Sequence, residues 1–457
     1  MMTEKQTRRG FLRTAAGAGA VASSLLILPR NVLGGAADKA ASGKINLAGI
    51  GLGGRGYGLL KQLAGGHNVV ALCEVDDRQA AAAQKEWPGA KRHRDFRRMF
   101  DTQQDIDAVV IATPDHQHFA MAMRALKAGK HVYCEKPLTH TVQEARALAA
   151  AARESKVATQ MGNQGNAGEG VRIIQEWLED GAIGAVREVQ AWTNKPECPQ
   201  GINRPADRPP VPAGLDWDLW LGPAPERPYH PAYLPFVWRA WWAFGSCALG
   251  DMACHVLNTP WRALQLGLPV SVEAYQNRCT DETGPLSSII YFEFPARGAN
   301  PPVRLTWHDG GMMPPRPLEM PDDDYRLGDN EGCLFLGETG KIMCSCYGDN
   351  PRLLPIEKMK QYGLGRKRIA RSPGHGEEWF AAIKGGPPAG SHFAHAALLT
   401  EVVQLGNVAI RTSARVLAER KQNGYPVKIL WDARNGKITN LPEANQFLQT
   451  EYRPGWV

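Results

Sequence analysis

The stretch "KINLAGIGLGGRGYGLLKQLAGG", Lys44 to Gly66, constrains this chain more than any other. Ile45, Leu47 and Ile50 predict a short buried strand. Glycines follow at once, then Leu59, Leu60 and Leu63 at helical spacing. A strand that turns on glycine into a helix belongs in a parallel α/β sheet, and the helix N-terminus suits a phosphate. Two Gly-x-Gly-x-x-Gly registers overlap: Gly49, Gly51, Gly54 and Gly51, Gly53, Gly56. The second is preferred, because it ends the strand before the first glycine and puts Gly56 inside the helix for close packing. Next comes the apolar strand of "NVVALCEVDD", which ends on Glu74. An acidic residue about 20 positions on is what adenosine ribose hydroxyls require. Asp76 competes for that role. Either carboxylate would repel a 2′-phosphate, so NAD is expected over NADP. Arg55, inside the glycine loop, is the counter-argument.

A second unit reads "DIDAVVIATPDHQHFAMAMRALKAGKHVYCEK". Ala108 to Ala112 predicts a buried strand, Thr113-Pro114 a break, His118 to Ala128 a helix, and Val132 to Cys134 the next strand. This rhythm means right-handed crossovers and ligands at the carboxyl ends of the strands. The expected cofactor contacts are therefore Gly51, Gly53, Gly54, Arg55, Gly56, Glu74, Thr113, Pro114, His118, Glu135 and Lys136. Pro137 biases Lys136 toward extended angles, so the lysine points toward the nicotinamide end.

The chain has 457 residues, enough for two domains behind a leader. The leader "TRRGFLRTAAGAGAVASSLLILP" has paired arginines before a small-residue apolar run, the layout of a twin-arginine export signal. It is too short for a membrane span. The expected division is a signal over 1–36, a dinucleotide domain over 43–165 and a second domain over 166–457. Cleavage is expected near Gly34 to Ala37, and the mature protein in the periplasm. The nine cysteines include no Cys-x-x-Cys pair, so neither a zinc ribbon nor a disulfide framework is signalled. Cys344 and Cys346 read as strand residues sharing a face. The net charge of +7 is partly in the leader and otherwise spread out, which gives no nucleic-acid footprint. The basic run "GRKRIAR", Gly365 to Arg371, reads as a solvated loop, and no metal site is expected.

"GSCALGDMACHVLNTPWRAL" places Asp251 and His255 four apart, on one face of a helix. Removal of hydride from a hydroxyl needs a base for the proton. A histidine beside a carboxylate fits that need.

The glycine loop, the acidic second-strand end, "ATPDHQH" and "CEKPLTHTVQEA" together resemble the Gfo/Idh/MocA oxidoreductases, the glucose-fructose oxidoreductase and inositol dehydrogenase group. "QMGNQGN", "LDWDLWLGPAP", "CALGDMACH" and "LTEVVQLGNVAIRT" resemble its exported branch. The resemblance implies a Rossmann domain followed by an α/β domain with a large, open, mostly antiparallel sheet. "AVREVQAWT", "VSVEAYQNRC", "SSIIYFEFP", "VRLTWHDG" and "GCLFLGETGKIMCSCYG" read as its strands. It implies a homodimer or homotetramer built on that sheet. It also implies catalysis by Lys136, Asp251 and His255: His255 as base, Asp251 tuning it and binding substrate, Lys136 steadying the reacting oxygen. Arg239, Trp238 and Asn166 are weaker substrate contacts, and relatives often carry a histidine at the position of Asn166. The insertion Pro196 to Pro235 is read as a loop over the site. The expected activity is hydride transfer between a sugar, polyol or glycoside hydroxyl and NAD. A redox-neutral NAD-dependent glycoside hydrolase and a non-catalytic binding protein on the same fold are the alternatives.

Overall fold

The computed structural model describes residues 43–456, except 321–326, 328–329, 365–366 and 421–425. The expected leader lies outside the described residues.

The first sheet is built from β1 (Asn46–Ile50), α1 (Arg55–Leu63), β2 (Asn68–Cys73), α2 (Asp77–Glu86), β3 (Lys91–His93), α3 (Phe96–Thr102), β4 (Ala108–Ile111), α4 (Asp115–Lys127), β5 (His131–Cys134), α5 (Val142–Ser155) and β6 (Thr159–Met161). Its order is β3-β2-β1-β4-β5-β6, every pair parallel. β4 is buried at every position, as a strand covered by helices on both faces must be. The order reverses between β1 and β4, where a crevice opens at the carboxyl ends. Helix α4 starts three residues before the expected His118. Pro114 is extended (φ −58°, ψ 151°) and serves as its N-cap, so Asp115 already lies in the first turn. Helix α5 opens with a reciprocal capping box between Thr141 and Glu144, worth about 1 kcal/mol.

The chain continues through α6 (Glu169–Glu179), β7 (Val186–Thr193), α7 (Trp217–Leu221), α8 (Cys247–Val256), α9 (Asn258–Ala263), β8 (Ser271–Asn277), β9 (Ser287–Phe294) and β10 (Val303–His308). It ends with β11 (Glu331–Gly337), β12 (Lys341–Ser345), β13 (Arg352–Leu354), α10 (Glu357–Tyr362), α11 (His375–Ile383), α12 (Phe393–Arg420), β14 (Lys428–Asp432) and β15 (Lys437–Ile438). Nine strands form one sheet in the order β13-β12-β11-β7-β10-β9-β8-β14-β15. Among the described residues of this sheet only β7 and β10 pair in parallel. In β9 buried and half-buried residues alternate, the period of a sheet covered on one face. Helix α12 is long and apolar enough to cross a membrane by length and composition, but 83% of its apolar window is buried inside the protein.

Two expectations change here. In the basic run, Arg371 donates twice to the buried Glu176 carboxylate, at 2.8 and 2.9 Å, and the Arg368 N–H donates to it at 2.8 Å. Arg371 first, and these backbone bonds with it, hold Glu176 down to about 2. The described part of the run is thus a clamp on α6 rather than a solvated loop. Cys346 falls in the turn behind β12 rather than on the strand. Cys344 faces Cys333 across β11 and β12, Sγ to Sγ 3.1 Å, and all nine thiols are free.

Candidate active site

The glycine turn follows the second register. Gly51 has φ +80°, and a Cβ there would meet the Ala112 carbonyl oxygen at 2.7 Å. A Cβ on Gly56 would collide with the Gly51 carbonyl. Helix α1 begins behind Gly54 with no side-chain cap and no acidic residue in its first turn. Gly56 N bonds to Gly53 O at 2.9 Å, and the N–H groups of Arg55 and Tyr57 are left for an anion. Glu74, at the end of β2, accepts from Leu52 N at 2.7 Å and from Val75 N at 2.8 Å, which ties the loop to the strand. Burial raises its pKa, and these bonds offset part of the rise. Asp76 is spent elsewhere: it caps α2 through Arg78 N and pairs with the Arg78 side chain. Arg55 turns away from the ribose end, and its Nε donates to Glu135 at 2.8 Å.

A cavity of about 310 Å³ runs along this floor. Gly51, Gly53, Gly54, Arg55, Glu74, Thr113 and Pro114 line it, with Trp220, Trp238 and Arg239 opposite. The roof is the predicted insertion, which contains α7. It is seated on the end of β2, where Asp77 N donates to Gly214 O and Asp216 N to Val75 O, each at 3.0 Å. The first turn of α4 fixes it further. Asp115 accepts from Ser246 N at 3.0 Å, and Gln117 Nε2 donates to Trp220 O at 2.7 Å. The ring nitrogens of His116 lie 3.2 Å from the Phe244 and Leu221 carbonyls. Trp217, Trp220, Tyr233 and Phe244 stack on one another, so these aromatics pack the roof rather than present free faces.

His118 does not face the cavity. It is buried, with Nδ1 at 2.8 Å from Pro137 O and Nε2 at 2.9 Å from Thr113 O. It cross-links the ends of β4 and β5 and reaches a cofactor only through them. Lys136 precedes a cis Pro137. Its Nζ donates at 2.8 Å to both the carbonyl and the carboxylate of Asp251. Arg239 Nε donates to the same carboxylate oxygen at 3.1 Å, and its guanidinium lies 4.3 Å from the Trp238 ring. Burial alone would raise the Asp251 pKa, but Lys136 and then Arg239 outweigh it and hold Asp251 far below the usual carboxylate range. Burial lowers the Lys136 pKa, and Asp251 more than restores it.

Asp251 is not an N-cap, because α8 begins behind Ser246. Its carboxylate bonds to Lys136 and Arg239 and makes no hydrogen bond to His255, whose pKa its charge raises against the larger effects of burial and Lys136. His255 is 5% exposed and packs edge-on to Tyr347, centroids 5.0 Å apart. No hydrogen bond joins its ring to any described residue, and Nδ1 is fully buried. Burial first and Lys136 second hold the ring neutral, well below the ordinary histidine pKa. Asn166 is buried, its Oδ1 accepting from Arg262 at 2.8 Å and its Nδ2 unpartnered. Gln164 Oε1, Asn258 Nδ2 and Thr259 Oγ1 are buried and unpartnered on the same packed group of elements. Tyr347 escaped the sequence reading, since a lone tyrosine after a strand carries no signal.

Two segments match models of one family: residues 44–163 its NAD-binding Rossmann fold, and residues 200–291 its C-terminal alpha/beta domain. Both segments of this chain are similar to that family, the Gfo/Idh/MocA oxidoreductases. Its Rossmann domain is thus an NAD-binding one, and the capless helix, the glycine turn and Glu74 fit that cofactor. Levoglucosan dehydrogenase of Pseudarthrobacter phenanthrenivorans is 31% identical over 192 residues, 41% of this chain and 40% of the relative. Inositol 2-dehydrogenase of Salmonella typhimurium is 32% identical over 146 residues, 31% of this chain and 43% of the relative. The alignments thus span about two fifths of these relatives' length. The structure of aldose-aldose oxidoreductase from Caulobacter crescentus, complexed with glycerol, superposes with TM-score 0.55 at 18% identity over 81% of this chain and 98% of that one. That likeness concerns the fold.

Proposed function

We propose that this Gfo/Idh/MocA protein is an NAD-dependent oxidoreductase acting on a hydroxyl of a sugar, polyol or glycoside. The observation that carries the reading is the meeting of Lys136, Arg239 and Asp251 beside the NAD cleft, with His255 one turn further along α8. Bound NAD would supply the hydride acceptor at the inner end of that cleft. Gly51, Gly53, Gly54 and Glu74 would hold it. Lys136 has three N–H donors and spends two on Asp251, so the third is available to the reacting oxygen. Developing alkoxide charge is stabilised there in a site screened from water. His255, kept neutral, takes the hydroxyl proton on a free ring nitrogen. Asp251 and Arg239 fix the ammonium in place. The unpartnered amides of Asn166 and Asn258 supply donors for other substrate hydroxyls.

The dehydrogenase names of the aligned relatives support this substrate class. The leader supports twin-arginine export to the periplasm. The resemblance to oligomeric relatives, with exposed Val270, Tyr275 and Leu430 on β8, β14 and the approach to β8, supports a homodimer or homotetramer on the large sheet. One observation favours the redox-neutral glycoside-cleaving variant: the insertion roofs the cleft and is tied down at both ends of its aromatic cluster, which suits a retained NAD.

The test is to denature the purified protein and identify the released small molecule, then screen sugars, polyols and glycosides. Released NAD, or saturable binding of added NAD, with turnover of a hydroxyl substrate is expected. A protein that neither carries nor binds NAD or NADP would leave the non-catalytic binding protein as the reading.

A further inference from the structure

Another cavity, about 450 Å³, lies on the far side of the Ser246 end of α8, between α12 and the C-terminal segment. It lies in the size range of small-molecule sites, ~300–1,000 Å³. Its wall contains Arg411 of α12. The guanidinium sits 4.3 Å from the Phe447 ring centroid and 5.3 Å from that of Trp242. Among the described residues it makes no ion pair and no hydrogen bond. Stacking satisfies the faces of a guanidinium but not the N–H groups in its plane. Arg411 is half-buried, so water meets these N–H groups until a ligand replaces it. Of the carboxylates on this wall, Glu282 is bonded to Arg204 and Arg227. Asp281 and Glu451 are exposed at the rim.

The cavity also holds an unpartnered acceptor. Asn407 donates through Nδ2 to Ser246 O and Gln404 Oε1, each at 3.0 Å, while its Oδ1 is buried without a partner. Free donors on a cation and a free acceptor one helical turn away call for a ligand with both an anionic group and a hydroxyl. We propose that this cavity binds a small hydroxy-carboxylate, its carboxylate on Arg411 and a hydroxyl donating to Asn407 Oδ1. The site is separate from the NAD cleft and stands whether or not the activity proposed above is right.

Calorimetric titration of the whole protein with D-gluconate tests it, with inorganic sulfate as the anion-only arm and sorbitol as the hydroxyl-only arm. Saturable one-to-one gluconate binding is expected, at least tenfold tighter than sulfate or sorbitol. Arg411→Met should weaken it tenfold or more, with NAD binding retained as the check on folding. Gln446→Trp, which fills the cavity from an exposed position on its rim, should do the same without touching the arginine. Lys136→Met should leave gluconate binding unchanged, which separates this cavity from the catalytic centre. The proposal is overturned if gluconate does not bind saturably, if both cavity variants bind it like the wild type, or if Lys136→Met abolishes binding. Sulfate binding as tight as gluconate would overturn the assignment of a hydroxy-acid.

Discussion

His118 and His255 are equally hidden, 1% and 5% exposed, yet the molecule treats them in opposite ways. His118 spends both ring nitrogens on backbone carbonyls at the ends of β4 and β5. His255 spends neither. A histidine with both nitrogens engaged is a cross-brace, and its worth is counted in stability. A buried histidine with nothing to bond lacks about 1–3 kcal/mol of satisfaction. Such a deficit is kept where a ligand supplies the missing partner. Burial does not distinguish the two, and neither does residue type. The bonding inventory does.

The comparison is broken most sharply at the centre it defines. Lys136→Met should reduce turnover by roughly 10²–10³-fold, the effect of losing one donor to a developing oxyanion. Arg239 still compensates Asp251 in that variant, so the protein should remain folded and bind NAD. Equal turnover in the variant would remove Lys136 from the mechanism. His255→Asn should cost about 10²-fold or more in kcat, with a denaturation midpoint near that of the wild type. His118→Ala should do the reverse. It removes the ring that packs between the Pro137 and Thr113 carbonyls and donates to one of them, so a loss of roughly 1–3 kcal/mol in urea unfolding is expected, with kcat within a few-fold of wild type. If His118→Ala spared stability and abolished turnover, the contrast would collapse.

The same contrast explains what was legible in the sequence. Gly51, Gly56 and Glu74 could be read because backbone geometry leaves few residue types able to serve there: a Cβ at Gly51 or Gly56 meets a carbonyl. Asp251 and His255 could be paired by helical spacing, yet their partners could not. Lys136 lies 115 residues from Asp251, and only the fold brings it to that carboxylate. "DHQH" looked like site chemistry and is mostly carpentry, for Asp115, His116 and Gln117 grip the roof and His118 the floor. Polar residues of one short motif point to separate parts of the fold, and no one-dimensional pattern encodes which. Strands of the large sheet could be read singly, several by alternation, and the family resemblance implied that they form one sheet, but the short β13, β14 and β15 were not legible.

Acid sharpens the contrast next. Burial keeps His116 neutral down to about pH 3 and His140 down to about pH 4, while in the unfolded chain both protonate near pH 6.5. A depressed folded pKa means the unfolded state binds more protons as pH falls. Stability is therefore full above about pH 6.5 and lost below it, by up to about 1.4 kcal/mol per pH unit for each ring. Glu144 works the other way: burial lifts it to about 7, so its contribution is lost as pH rises from about 4.5 to 7. Urea midpoints measured at pH 7 and pH 5 should show a net loss at pH 5. His116→Asn should lower the midpoint at pH 7 yet show a smaller further loss at pH 5. An unchanged difference between the two pH values would mean that the ring titrates alike in both states.

The smallest expected effect sets Glu74 against Asp76, two carboxylates two residues apart with different duties. Glu74 lines the cleft and, beyond three bonds from backbone N–H groups, keeps one acceptor site for a ribose hydroxyl. Asp76 is committed to the N-terminus of α2 and to Arg78. Glu74→Gln should weaken NAD binding by about tenfold, the worth of a charge-assisted hydrogen bond to a ribose hydroxyl, and narrow the preference for NAD over NADP. Asp76→Asn should leave NAD affinity within twofold and cost up to about 1 kcal/mol of stability, because an asparagine still caps but no longer pairs with an arginine that is itself 60% exposed. Fluorescence titration with both dinucleotides and a urea melt separate these outcomes. If Asp76→Asn lost the cofactor and Glu74→Gln kept it, the ribose would lie against the start of α2, and Arg55, turned to Glu135 here, would have no bearing on the choice between the two dinucleotides.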